Sequence, residues 1–87
     1  MPVKYTKSAL RTAGQLRAAR GLLDWNQSDL AENAGLSVET IKRLERIKGP
    51  LEATTVETLE AIIKAFAKAG LEFTNGDALG VRMKPKR

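Results

Sequence analysis

Arginine and lysine are the side chains of this sequence best equipped for chemistry, and they gather where amide and hydroxyl groups are also dense. Lys42, Arg43, Arg46 and Lys48 follow Gln27, Ser37, Glu39 and Thr40 in one stretch, and Arg17 and Arg20 precede it. Ammonium and guanidinium groups hold phosphate, and the planar guanidinium also grips two acceptors at once. Taken alone, basic runs on short helices are usually solvated faces. Other chemistry is poorly served. Histidine and cysteine are both absent from the 87 residues. That removes the usual general base near neutral pH, the thiol nucleophile, disulfides and the commonest metal ligands. Asp24, Asp29 and the scattered glutamates form no paired-carboxylate or metal motif. No catalytic residue, metal site or cofactor is therefore expected, and an enzyme is the least favoured class.

Fifteen Lys and Arg against ten Asp and Glu give a net charge of +5 and a pI near 9.9, a balance that directs attention to nucleic acid. The length is that of one small globular domain, whose folding buries about 60 to 65% of the surface that the unfolded chain exposes. Residues 1–10 lack the apolar run of a signal peptide, and no window reaches the length of a membrane-spanning helix. A soluble cytoplasmic protein without a membrane partner is expected.

Helices must position the polar groups, and the apolar periodicity supplies them. Thr12 with Gln15 fits a capping box, and Leu16, Ala19, Leu22 and Leu23 recur at helical spacing, which predicts a helix over 13–23. Asp24-Trp25-Asn26 breaks it. Asn26 suits the N-cap of a second helix over 27–34, and Gly35 stops that helix by accepting left-handed backbone. Ser37 caps a third helix over 38–47, with Ile41, Leu44 and Ile47 facing inward. Thr54 with Glu57 makes another capping box. Val56, Leu59, Ile62, Ile63, Phe66 and Ala69 then form the stripe of a fourth helix over about 55–69, which Gly70 terminates. Beyond it residues 71–74 alternate, Asn75-Gly76 signals a tight turn and 81–84 alternate again. That pattern predicts a β-hairpin, with 77–80 widening the loop or bulging a strand. A lone hairpin is marginal in water, so it must pack on the helices or pair with further strand from the N-terminal arm or a second subunit. Residues 1–11 are read as a basic arm, with a short strand over 3–6 as one option, and 85–87 as a basic tail.

The segment 27–46, QSDLAENAGLSVETIKRLER, joins its two short helices through Gly35-Leu36-Ser37. Helices that cross steeply on so short a turn need a small side chain where they approach, a glycine at the turn and apolar anchors on the second helix. Ala31, Gly35, Ile41 and Leu44 meet those needs in register. With Leu16-Arg17-Ala18-Ala19-Arg20, Trp25-Asn26-Gln27, Leu30-Ala31, Ala34-Gly35-Leu36-Ser37 and Ile41-Lys42-Arg43-Leu44-Glu45, the sequence resembles the helix-turn-helix of the XRE family, the group of phage lambda repressor and Cro. Where that family often has a fifth helix, this chain carries the 71–84 hairpin, a different candidate for dimerisation.

The resemblance implies a mainly α, lambda-repressor-like bundle of about four helices over 12–70, containing a helix-turn-helix and followed by the β-hairpin. It further implies that helix 38–47 lies in the major groove while helix 27–34 crosses the phosphate backbone. Val38, Glu39 and Arg43 then occupy base-facing positions: Val38 toward a thymine methyl, Glu39 toward cytosine N4, Arg43 toward guanine O6 and N7. Glu39 has a competing reading, in which it complements the helix dipole or orients Arg43. Arg17, Gln27, Ser37, Thr40, Lys42, Arg46 and Lys48 are candidates for phosphate or flanking contacts. Arg20 and Glu45 match a family ion pair that ties the first helix to the third. Trp25 reads as core or a plug between helix and loop, and Leu22, Leu23, Ile62 and Phe66 as core or subunit contact.

The favoured function is a sequence-specific transcriptional regulator of double-stranded DNA, a repressor acting as a homodimer or higher homo-oligomer on an operator with two related half-sites about one helical turn apart. A bacterial or phage setting is expected, such as the control switch of a mobile element or an antitoxin, with the protein nucleoid-associated when bound to DNA. The alternative is a protein-interaction module of antitoxin or antirepressor type that keeps the fold and binds a protein partner through the hairpin edge or tail. A third reading, nonspecific nucleic-acid binding through arm and tail, predicts steep salt dependence with little sequence preference.

Overall fold

Each helix begins where a short polar side chain satisfies its first free N–H groups. In the computed structural model, which describes residues 9–51, 53–75 and 79–84, α1 spans Ala13–Leu23, α2 Gln27–Ala34, α3 Val38–Glu45 and α4 Val56–Lys68. Strands β1, Leu71–Asn75, and β2, Leu79–Met83, complete the described chain. Thr12 and Gln15 close a reciprocal capping box on α1, Asn26 and Asp29 close one on α2, and Ser37 Oγ accepts from Thr40 N–H on α3. Among the described residues no helix is long and apolar enough to cross a membrane.

The two tight connections use one device. Gly35, at φ 70°, ends α2; its N–H reaches Glu32 O and Leu36 N–H reaches Ala31 O at 2.9 Å, the paired bonds of a Schellman motif. Asp24 repeats the arrangement after α1 at φ 58°, with its own N–H on Gly21 O and Trp25 N–H on Arg20 O at 3.0 Å. Aspartate is among the few side chains that tolerate left-handed backbone, so the chain turns there without a glycine.

Several boundaries differ from the sequence reading. Helix α3 ends at Glu45 instead of residue 47, because the N–H groups of Arg46 and Ile47 bond to Arg43 O and Leu44 O and tighten the chain out of α geometry. Helix α4 is shorter by a residue at each end, and its cap is Thr55, whose Oγ1 accepts from Thr58 N–H, in place of Thr54 with Glu57. The stripe that sets this register starts at buried Leu59; Val56 is exposed. The tight turn expected at Asn75-Gly76 gives way to an antiparallel register running from Leu71↔Met83 to Asn75↔Leu79, which makes Asn75, Leu79 and Gly80 strand residues. The optional strand at 3–6, most of the basic arm, residues 76–78 and the tail 85–87 lie outside the described residues.

One core joins all elements. Leu16 and Ala19 of α1, Leu30 of α2, Ile41 and Leu44 of α3, Ile62 and Phe66 of α4 and Leu71 of β1 are almost fully buried together. Trp25 stacks on Phe66 at a centroid distance of 5.3 Å, and Phe73 meets the same ring edge-on at 5.7 Å. Leu23 is half-buried against this cluster, whereas Leu22 points to solvent. The hairpin packs β1 on α4 and β2 on α1, and Leu51 N–H donates to Arg11 O at 2.9 Å, fastening the loop after α3 beside the start of α1.

Candidate nucleic-acid interface

Helix α3 turns one side inward and leaves the other to solvent. Ile41, Leu44 and Glu45 are buried, while Glu39 and Arg43, one helical turn apart, are exposed on the outer side. Thr40 and Lys42 flank them, half-buried. Val38 is also half-buried and packs against the core, so it offers less surface than its sequence position suggested. Ser37 and Thr40 are partly engaged with each other, their hydroxyl oxygens 2.9 Å apart at the start of the helix. The ion pairs among the described residues are Arg20–Glu45 and Glu72–Arg82. Glu39 is therefore not bound to Arg43, and both side chains are available to a ligand.

What holds α3 at its angle is centred on Glu45. Arg20 forks onto its carboxylate, Nε to Oε2 at 2.6 Å and Nη2 to Oε1 at 2.8 Å, while Arg20 Nη1 donates to Trp25 O at 2.9 Å. Gln27 Nε2 donates to Glu45 Oε1 at 3.0 Å, and Arg17 Nη1 donates to Glu45 O at 2.7 Å. The hydrogen bonds that Arg20 donates to Glu45 raise the pKa of its guanidinium, burial lowers it, and the charge of Glu45 raises it further, with a net shift upward. The ion pair expected from the motif thus sits in a larger network, which joins α3 to both α1 and α2.

Two of the flanking candidates have a structural task that the sequence reading did not assign. Arg17 satisfies a carbonyl at the end of α3, where a cation also complements the helix dipole. Gln27, at the first position of α2, is oriented by Glu45. Arg17 also lines an open cleft of about 350 Å³ between the start of α1 and the loop after α3, where it meets Arg46 and Lys48. Arg17 thereby converges beside α3 with Arg46 and Lys48, which are distant from it in sequence, and all three are exposed. Gln27 belongs to the Glu45 network and not to this cleft.

Gln15 was missed altogether as more than a cap. It is buried, its Oε1 accepts from the N–H groups of Arg11 and Thr12, and its Nε2 contacts the carbonyls of Ala9, Thr74 and Gly80 at 2.8, 3.2 and 3.0 Å. The available signal was a glutamine in an otherwise inward stripe beside Leu16 and Ala19.

Two short capped helices on a glycine turn, the second presenting an exposed polar face flanked by cations, agree with the comparison to known families. Residues 16–73 match the helix-turn-helix family model. The chain belongs to the XRE-type helix-turn-helix DNA-binding domains. The match runs from α1 through α4 into β1, so the helix-turn-helix and the scaffold that orients it are covered together. Curated proteins yield no match to the chain.

Proposed function

We propose that this helix-turn-helix protein is a sequence-specific transcriptional repressor. It inserts α3 in the major groove of an operator with two related half-sites, one for each copy of a homodimer. The observation that carries the reading is the exposed pair Glu39 and Arg43 on a helix whose inner side is fixed by Glu45. A recognition helix needs free base-reading groups on a rigid support, because a backbone that had to be ordered on binding would offset part of what the base contacts contribute. Arg43 reads guanine O6 and N7, Glu39 accepts from cytosine N4, and Val38 adds apolar contact to a thymine methyl. Arg17, Arg46 and Lys48 contact phosphate along their shared cleft, and Gln27 contacts phosphate at the start of α2. Ser37, Thr40 and Lys42 flank the base-reading positions. Repression requires no further surface, since an occupied operator excludes polymerase sterically.

Selection of bound duplexes from a randomised DNA pool tests this reading, with the winner compared to scrambled DNA at physiological salt. A two-fold related consensus bound at least about a thousandfold more tightly is the expected result. Affinity that only falls with salt, with no consensus, would overturn it and turn attention to a protein partner.

A further inference from the structure

Among the described residues, the outer edge of β2 makes no backbone hydrogen bond. Lys84 N–H donates to Gly70 O at 2.7 Å, one step beyond the Leu71↔Met83 pair. In an antiparallel ladder hydrogen-bonded pairs alternate with non-bonded ones, so Glu72↔Arg82 and Thr74↔Gly80 are bonded pairs and Phe73↔Val81 is not. The carbonyls of Thr74 and Gly80 agree with this, since both lie within reach of the single Gln15 Nε2. The N–H and C=O groups of Leu79, Val81 and Met83 consequently point away from β1. No hydrogen bond to them occurs among the described residues.

The side chains of these three residues lie on the face that β1 turns to the core, without the same cover. Leu79 is 46% and Met83 55% exposed, against 1% for Leu71 and 9% for Phe73. The outer edge of β2 thus combines open backbone groups with an apolar row whose two ends, Leu79 and Met83, are exposed on either side of half-buried Val81, the combination that templates another strand.

The row is complementary to itself. A two-fold axis through Val81 sets Val81 opposite Val81 of a second copy and Leu79 opposite Met83, so each half-exposed side chain covers another. On the opposite face Arg82, already paired with Glu72, falls across from Gly80, which has no side chain. An axis through Arg82 would set two guanidiniums directly opposite each other, which is unfavourable. An axis through Gly80 would carry Met83 beyond the end of the facing row. We propose that β2 is the contact between two copies of this chain, paired antiparallel about Val81 into one continuous sheet of order β1-β2-β2-β1. The choice of a second copy over a foreign strand rests on the two-fold operator reading above, while the surface and register rest on the hairpin alone.

Deleting the hairpin would also strip Leu71 and Phe73 from the core, so the test uses point changes in the full chain without DNA. Because the sequence has no cysteine, introduced thiols report register without background. Val81→Cys brings two thiols to a bonded pair with Cα atoms about 5.5 Å apart, within disulfide range, and is expected to form a covalent dimer on mild oxidation. Leu79→Cys and Met83→Cys are each expected to stay uncoupled alone and to couple when mixed. In sedimentation, Met83→Lys raises the dimer dissociation constant about tenfold or more while its circular dichroism matches the parent. The proposal is overturned if the parent sediments as a monomer at micromolar concentration, if Arg82→Cys couples in place of Val81→Cys, or if Met83→Lys leaves dimerisation unchanged. Operator selection reports separately on DNA reading, so either result can fail without the other.

Discussion

Glu45 is a single carboxylate serving three helices, and its surroundings decide what its loss does. Its side chain is 5% exposed and that of Arg20 19%; removing one partner strands the other charge in a poorly solvated place. Glu45→Ala is expected to destabilise the fold by about 3 to 5 kcal/mol in urea denaturation, and replacing both partners by Leu or Met of similar volume by much less. A folded-state pKa of Arg20 raised above its unfolded value means that this contribution is complete below the unfolded pKa. It is lost only as pH rises through the folded one, far into the alkaline range. The neutral-pH stability curve therefore carries no inflection from Arg20. Loss of DNA binding in either single variant reports a displaced α3 before it reports a lost contact. Gln15→Leu keeps the volume of the side chain but removes its hydrogen bonds, and should cost about 1 to 3 kcal/mol with faster amide exchange in the hairpin. The ion pair was legible in the sequence because it lies within a recurrent motif. The role of Gln15 was not, since its hairpin partners stand 59 and 65 residues away.

At the scale of elements, capping side chains were readable wherever a single candidate preceded an apolar run. Thr12, Asn26 and Ser37 each stand alone in that sense. Thr54 and Thr55 do not, and local chemistry could not choose between them. The choice falls to the core, which needs Leu59, Ile62 and Phe66 on one side of α4 and so fixes where the first turn begins. Thr55→Ala should cost about 1 kcal/mol of unfolding free energy, and Thr54→Ala less than about 0.5 kcal/mol. Equal losses in thermal denaturation would mean that the helix starts one residue earlier. The end of α1 obeys the same logic with a different residue. Asp24 occupies left-handed backbone that glycine enters without steric cost, so Asp24→Gly is expected to hold or raise stability by up to about 1 kcal/mol. The Asn75-Gly76 signal misled for a related reason: the dipeptide suits a two-residue turn, but the pairing of Phe73 with Val81 places the buried apolar residues on one face and carries Asn75 into the ladder.

Across the whole molecule, the net charge of +5 is a poor guide until its placement is known. Arg17, Arg46 and Lys48 line one cleft beside α3, whereas Arg20 is consumed by Glu45 and Arg82 by Glu72. Sequence reasoning could name the basic residues near the motif, but only the fold separates those that are ion-paired among the described residues from those left exposed and unpaired beside α3. The separation has a measurable consequence in the proposed operator complex. Lys48 is exposed on the loop after α3 and Arg43 on its outer face, so the two cations should fail differently. Lys48→Ala removes one phosphate contact; affinity for operator and scrambled DNA should fall together, and the slope of log K against log salt should flatten by about 0.9. Arg43→Ala should instead cost about 1 to 3 kcal/mol on the operator, with a much smaller loss on scrambled DNA, and relax preference at one base pair in each half-site. Fluorescence anisotropy titrations of both variants over a range of salt concentrations distinguish these outcomes. If Arg43→Ala weakens both DNAs equally, α3 lies against the backbone and some other element reads the bases.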